Sequence, residues 1–450
     1  MAVIYSKKEQ GVTVYMCNAV PVHSAVLADK ATDNATGISY YYNGSAWVAI
    51  GGGGGGGGGI CGISDATGTY TYYATLNLAM AAASGGDTIE MFADIEETTS
   101  TTVTLIPDIT INGNGHIYKL SVDDDTHAFT FNSTGTVFLN NITIIRTGRS
   151  LNANGYCLRH NSSGAIVKGN GCQLINTYGS GTWGAGSLYG FNITAVYRGV
   201  YNPFASTNIY DTNIECTGST GEAIYVAAGE TVNCYAKVIN GNAIFNGAGR
   251  VYNSVGISTN GIGIFCNGEV YDSIGKSVSS KGLSGQRLTN CVGISTSSFG
   301  IACTSGRNCV GISTSGVGGQ GDFHNSTLIS SSNYAFSGTG TRALYNCYVA
   351  SSSSITTFRP NLYNSTVVCK WDNAGGHCTT SNVLLELEIV NSSFKVTNSS
   401  AYCINGYGGA GGSTWKYANN SFEGSTTPVN TANISQGITN TSDSQGNILI

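Results

Sequence analysis

The chain has 450 residues, 41% of them apolar and only 10% charged, with 63 glycines and a formal net charge of −5. That apolar share excludes a disordered polymer, and 20 Lys plus Arg with no basic stripe argue against nucleic-acid binding. No run of about 20 apolar residues occurs, so membrane insertion by a helix is not expected.

Glu and Lys are scarce, while Gly, Asn, Ser and Thr are abundant, which favours strands and turns over helices. Residues 1–50 read as a separate small β-module. Its "GVTVYMCNAV" and "SYYYNGSAWVAI" segments are predicted strands, the second turning at Asn43–Gly44. Tyr40, Tyr41, Tyr42 and Trp47, the aromatic residues of that second segment, are the module's predicted anchoring surface. Nine glycines follow, from Gly51 through Gly55 to Gly59. As a flexible coil they would span about 15–18 Å, a linker between the module and the body (residues 60–425). The start "MAVIYSKKEQGVTVY" lacks an apolar core with a small-residue cleavage site, so no secretion signal is expected. Fourteen cysteines without a CxxC pair or zinc-ligand spacing then read as reduced thiols, with no metal or cofactor implied. His377 and Cys378 are adjacent and read as a loop coincidence.

The segment "YATLNLAMAAASGGDTIEMF" predicts a helix over Thr75–Ala83, ended by Gly85–Gly86, with Leu76, Leu78 and Met80 covering the first coil of a solenoid. "DTIEMF", "TTVTLI", "DITINGNG" and "HIYKL" then alternate as strands.

Between residues 210 and 368 a short signature recurs at Asn213, Asn233, Asn253, Asp272, Asn290, Asn308, Asn325, Asn346 and Asn364. Its steps are 20, 20, 19, 18, 18, 17, 21 and 18 residues. A period of 18–21 without a helical pattern fits one coil of two or three short strands. Stacked coils would align each Asn above the last, its amide bonding along the stack and its backbone making a sharp turn. The next position (Ser254, Ser273, Cys291, Cys309, Ser326, Cys347 and Ser365) would form a buried column of small, unreactive side chains. Asn141, Asn192, Asn391 and Asn420 read as coils outside the regular stretch. Residues 426–450 read as a polar tail.

Two glycine-rich segments are predicted surface loops. Tyr178, Trp183 and Tyr189 in one, and Tyr407, Trp415 and Tyr417 in the other, are the surface-recognition candidates. Carboxylates are sparse. "VDDDTH" (Val122–His127, with Asp123, Asp124 and Asp125) and "GDFH" (Gly321–His324, with Asp322) are the clusters closest to catalytic chemistry, but the first is expected to be a solvated Asp-rich turn and the second, in the repeat core, has a single carboxylate beside one histidine. Glu386 and Glu388 fit strand alternation.

"TLNLAMAAASGGDTIEM" followed by "ITINGNGHIYKL" resembles the opening of right-handed parallel β-helices of the pectin-lyase-like group. The resemblance implies an all-β, right-handed parallel β-helix solenoid with an N-terminal capping helix. None of the group's catalytic motifs appears, so no catalytic residue is carried over. "YYYNGSAWVAI" is similar to N-terminal modules of bacteriophage tail and head fibres. Together these resemblances imply a virion-surface fibre or spike. It would attach to other virion proteins through residues 1–50, form a homotrimer, and bind a host surface glycan or receptor. A polysaccharide depolymerase and a bacterial surface adhesin are the alternatives.

Overall fold

The computed structural model describes residues 59–65, 67–148, 155–204, 207–218, 221–352, 355–370, 387–397 and 420–425. It also gives the backbone of ten strands: Val3–Glu9, Val12–Cys17, Lys30–Asp33, Ser39–Tyr42, Trp47–Ile50, His377–Thr380, Tyr402–Asn405, Trp415–Ala418, Val429–Asn430 and Ile448–Leu449. Two compact units divide the chain, Met1–Val196 and Tyr197–Ile450.

In the first unit the five strands between Val3 and Ile50 form a sheet of their own, in chain order. Ser39–Tyr42 and Trp47–Ile50 pair antiparallel with Tyr42 opposite Trp47, as the predicted hairpin requires. The turn at Asn43–Gly44 lies outside the described residues. So do Gly51 and Gly55. Gly59 is buried, and a Cβ there would overlap the backbone of Tyr73, so the last glycine belongs to the packed body and not to a linker.

The helix spans Leu76–Ala82, with Thr75 as N-cap: its hydroxyl accepts from the Leu78 amide at 3.2 Å. Leu76, Ala79 and Met80 are buried, but Leu78 is 55% exposed and covers nothing. Extended Ala83 ends the helix before the glycines do. Parallel coils follow, Thr88 pairing with Thr110 and Thr110 with Phe138. Their interior is filled by Met91, Tyr118, Phe129, Phe131 and Phe191.

The second unit is a parallel β-solenoid with shorter coils. Val255, Ile274, Val292 and Val310 stand one above the next. The predicted asparagine column is present, and its cause is backbone geometry. Asn233, Asn253, Asp272, Asn290, Asn308, Asn325, Asn346, Asn364 and Asn391 all have φ between 43° and 55°. Asn and Asp tolerate this left-handed region best among residues with a side chain. The column starts at Asp211 (φ 51°), not at Asn213, which lies two residues on in the strand Asn213–Cys216. In the first unit Gly190 (φ 75°), not Asn192, holds the left-handed turn, while Asn192 pairs with Gln173 inside a strand.

Amides link successive coils, each donating to the coil before. Asn233 Nδ2 reaches Asp211 Oδ1 and Asn253 Nδ2 reaches Asn233 Oδ1, both at 2.9 Å. Asn290 bonds Asp272 at 2.9 Å, and Asn308 bonds Asn290 at 3.1 Å. An ionised Asp accepts but cannot donate. Asp272 therefore starts a new ladder and cannot extend the one ending at Asn253.

The adjoining column of small residues is buried as predicted. Ser254 and Ser273 each donate to the carbonyl two residues back at 2.7 Å and accept from the amide of the coil before at 3.1 Å. Asn420 belongs to this column and not to the asparagine ladder: it is fully buried, and its Oδ1 accepts from the Ser392 amide at 2.8 Å. Strands Val429–Asn430 and Ile448–Leu449 pair onto Ile404–Asn405 and Ser421–Phe422, so solenoid pairing extends into the predicted tail.

One stretch of sheet has its alternation reversed. In Val255–Ser258, Ile274–Ser277, Val292–Ser295 and Val310–Ser313 the glycine and serine face in and the aliphatics face out. Across the interior the opposite wall comes so close that a Cβ on Gly293 would overlap the Gly300 carbonyl. Only glycine fits there, and the two-residue period sends its neighbours outward.

Candidate surface-recognition site

The predicted loop 178–190 is mostly strand: Ser180–Gly184 and Ser187–Ala195. Tyr178 is 50% exposed on the turn before them, but Trp183 and Tyr189 are half-buried. Trp183 pairs with Arg159 of the previous coil, whose guanidinium lies 4.8 Å from its ring centre, and Tyr156 stacks at 6.1 Å. These contacts leave Trp183 no broad open platform. Trp415 lies in the strand Trp415–Ala418 with Tyr417, pairing with Leu387 and Ile389; Tyr407 lies outside the described residues. Glu388 pairs with Lys416 in register, and Glu386 lies outside.

The "DDDTH" turn serves the fold. Fully buried Arg146 donates to the carbonyls of Thr126, at 2.8 Å, and Asp124. Ser100 and Thr126 bond the Asp124 carboxylate and hold it below the usual range. Burial first, then Arg159, holds His127 down to about 4. Among the described residues no group of three His, Cys, Asp or Glu is placed to hold a metal, and no helix is long and apolar enough to cross a membrane. Burial pushes the Cys234 thiol up to about 12 and Cys347 to about 11, the opposite of an activated thiolate.

The second unit carries a more extended constellation. On one wall, Glu230, Arg250, Glu269 and Arg287 succeed each other in register, one per coil. Glu269 is clasped from both sides: Arg250 Nε at 3.1 Å and Arg287 Nη2 at 2.5 Å, with the Tyr271 hydroxyl donating at 3.0 Å. The carboxylate is 17% exposed, while the guanidinium side chains are 54% and 70% exposed. Opposite charges one strand apart stabilise the row, and outward N–H groups are left over, since each guanidinium has five.

Two residues along the same strands runs a column of rings. Tyr252 and Tyr271 stack at 5.1 Å, His324 and Tyr345 at 4.5 Å, and Tyr345 and Tyr363 at 4.7 Å. Because side chains two apart share a face, charged and aromatic columns lie side by side. Asp322, the predicted "GDFH" carboxylate, sits on this wall, held by the Ala343 amide at 2.8 Å and by Arg342 at 3.4 Å. A third column stacks Tyr201, Tyr225, Phe245 and Phe265, headed by Arg198 4.1 Å over Tyr201 and paired to Glu222 at 3.1 Å. No motif marks the Arg–Glu–Arg clasp; the one signal available was the coil period, which places residues 250, 269 and 287 one above another.

No protein family matches the sequence, and no curated protein matches it either. Among solved structures the chain is similar to the A-module of Azotobacter vinelandii mannuronan C-5 epimerase AlgE4, at 13% identity and TM-score 0.24, over 81% of this chain and 94% of that one. It is similar to tailspike protein 3 of bacteriophage CBA120, at 11% identity and TM-score 0.26, over 83% of this chain and 57% of that one. It is also similar to a mutant tailspike protein of E. coli bacteriophage HK620, at 11% identity and TM-score 0.24, over 86% and 76%. At these identities and TM-scores none of the likenesses assigns this chain a fold or a role. On its own strand pairing, the chain is a parallel β-solenoid protein.

Proposed function

We propose that this chain is a bacteriophage virion protein, a fibre or spike that binds a host-surface polysaccharide along the wall of its second unit. The observation that carries this reading is the pair of columns on that wall. Exposed Arg250 and Arg287 stand on the coils either side of Glu269, and rings stack at Tyr252–Tyr271 and again at His324–Tyr345–Tyr363, with successive coils about 4.8 Å apart. A linear polymer lying across the strands would meet the same chemistry repeatedly: hydrogen-bond donors for its hydroxyls and carboxylates, ring edges for its apolar patches. The reading is one of binding without cleavage, because Glu269 and Asp322 are each engaged by arginine side chains of neighbouring coils in ion pairs that hold the wall together. Residues 1–50 attach the protein to the particle, supported by a sheet built from that segment alone. The assembled form is a homotrimer.

The test is binding of the purified full chain to a panel of bacterial capsular and lipopolysaccharide glycans. At least one glycan should bind, and R250A/R287A should weaken it about tenfold or more, the cost of losing charged hydrogen bonds. Absence of binding across the panel, or release of reducing ends from the bound glycan, would contradict the reading.

A further inference from the structure

We infer that copies of this chain associate through the outward face of the reversed strands, running parallel and in register, so that each valine column packs against its own equivalent. This assigns a face to the self-assembly proposed above and rests on that assembly, but not on glycan binding.

A one-sided strand turns its apolar set toward the core. Here Val292, Ile294, Val310 and Ile312 point the other way, half-buried, while Gly293, Ser295, Gly311 and Ser313 fill the interior. The pinched interior explains the inward glycines but not why the outward positions are aliphatic, since the β-branched but polar Thr also suits an exposed strand position. The margins of the same face agree. Tyr235 and Tyr348 stand in the valine column at 38% and 39% exposure, and Ile239 and Val278 directly follow its strands at 46% and 51%. They are four of the eight large hydrophobic side chains exposed by more than a third among the described residues. Contiguous apolar patches of this kind mark association surfaces.

The occupant follows from the period. The column runs through Tyr235, Val255, Ile274, Val292, Val310, Thr327 and Tyr348 without a charge. It repeats one side chain per coil, about every 4.8 Å. A surface with that repeat along its length is matched by another solenoid of the same repeat, and a second copy supplies one. Charge then sets the orientation of the seam. Lys276 lies in the neighbouring isoleucine column, between Ile257 and Ile294, and is exposed. The charge-free valine column is therefore the centre of the contact, and the lysine column its rim, where a long side chain reaches water.

The full chain, examined by light scattering after size exclusion, should give a multiple of the single-chain mass. V292D/V310D should reduce it to one chain with an unchanged far-ultraviolet dichroism spectrum, and F245D, on a different column, should leave the multimer intact. A single-chain wild type would overturn the assembly and this face together. A multimer that survives V292D/V310D would overturn the face while leaving assembly standing. Should the double variant fail to fold, V292C decides: disulfide-linked dimers on a non-reducing gel are expected, and a multimer without them would overturn the parallel, in-register contact.

Discussion

Between Met91 and Phe191 the first unit fills its coils with large side chains, Phe129, Phe131 and Tyr118 among them, and even a fully buried Arg146. Between Gly256 and Gly318 the second unit draws two walls together until glycine faces glycine. Both stretches are parallel coils, so a solenoid wall does not dictate its interior. One interior rests on apolar burial. The other relies more on hydrogen-bonded columns: buried Ser295 donates to the Ser280 carbonyl and Ser313 to the Ser298 carbonyl, at 2.7 and 2.8 Å. The damaging change in side-chain volume should therefore have opposite sign in the two places.

The largest expected effects test that opposition directly. F131A in the first unit should cost about 3–5 kcal/mol through the cavity it leaves. G293V in the second should cost more than about 3 kcal/mol for the reverse reason, since its side chain must displace backbone. Urea unfolding of each variant checks both. A G293V chain as stable as wild type would remove the claim that the walls meet there.

Acid should separate the units next. His160 is fully buried in the first unit, its Nδ1 accepting from the Gly186 amide at 2.8 Å, and burial holds it down from 6.5 to about 4. Between those values the unfolded chain binds a proton that the folded chain refuses. Stability is thus complete above about pH 6.5 and falls as pH drops toward 4, by about 3 kcal/mol in all. His127, depressed by burial and Arg159, adds to the slope. Thermal melts across pH 4–7 should show this loss in the first unit, with H160Q flattening part of it; a slope unchanged in H160Q would assign the acid sensitivity elsewhere.

Smaller effects belong to the asparagine ladder. N290A should lose about 2 kcal/mol, roughly half from the left-handed backbone and half from the amide link. N290G should lose only the second part. D272N should gain up to about 1 kcal/mol, because an amide there can donate to Asn253 and join two ladders. A D272N melting temperature below wild type would refute the directional account of the ladder.

The ladder was legible in the sequence because one backbone requirement recurs once per coil and few residues meet it. Its ends were misplaced for the same reason: Asn213 and Asn420 sit among Asn-rich neighbours, and composition cannot tell a turn residue from one in a strand or a packing column. The capping helix was legible from Thr75 and its apolar run, but the side that Leu78 would face was not. The loop drawn through Trp183 failed because Gly and Ser, normally turn residues, are here buried within the strand Ser180–Gly184. The Arg250–Glu269–Arg287 clasp and the reversed strands were hidden for a different reason: their partners stand a full coil apart, and only the register of the stack joins them.

The charged and aromatic wall of the second unit is the proposed seat of a surface polysaccharide. Hydrogen–deuterium exchange of the full chain, with and without a bound glycan from the panel, tests it most directly. Protection confined to strands carrying Arg250 to Tyr271 and His324 to Tyr363 is the predicted result. Protection confined to the first unit, around Tyr178 and Trp183, with that wall unchanged, would contradict it.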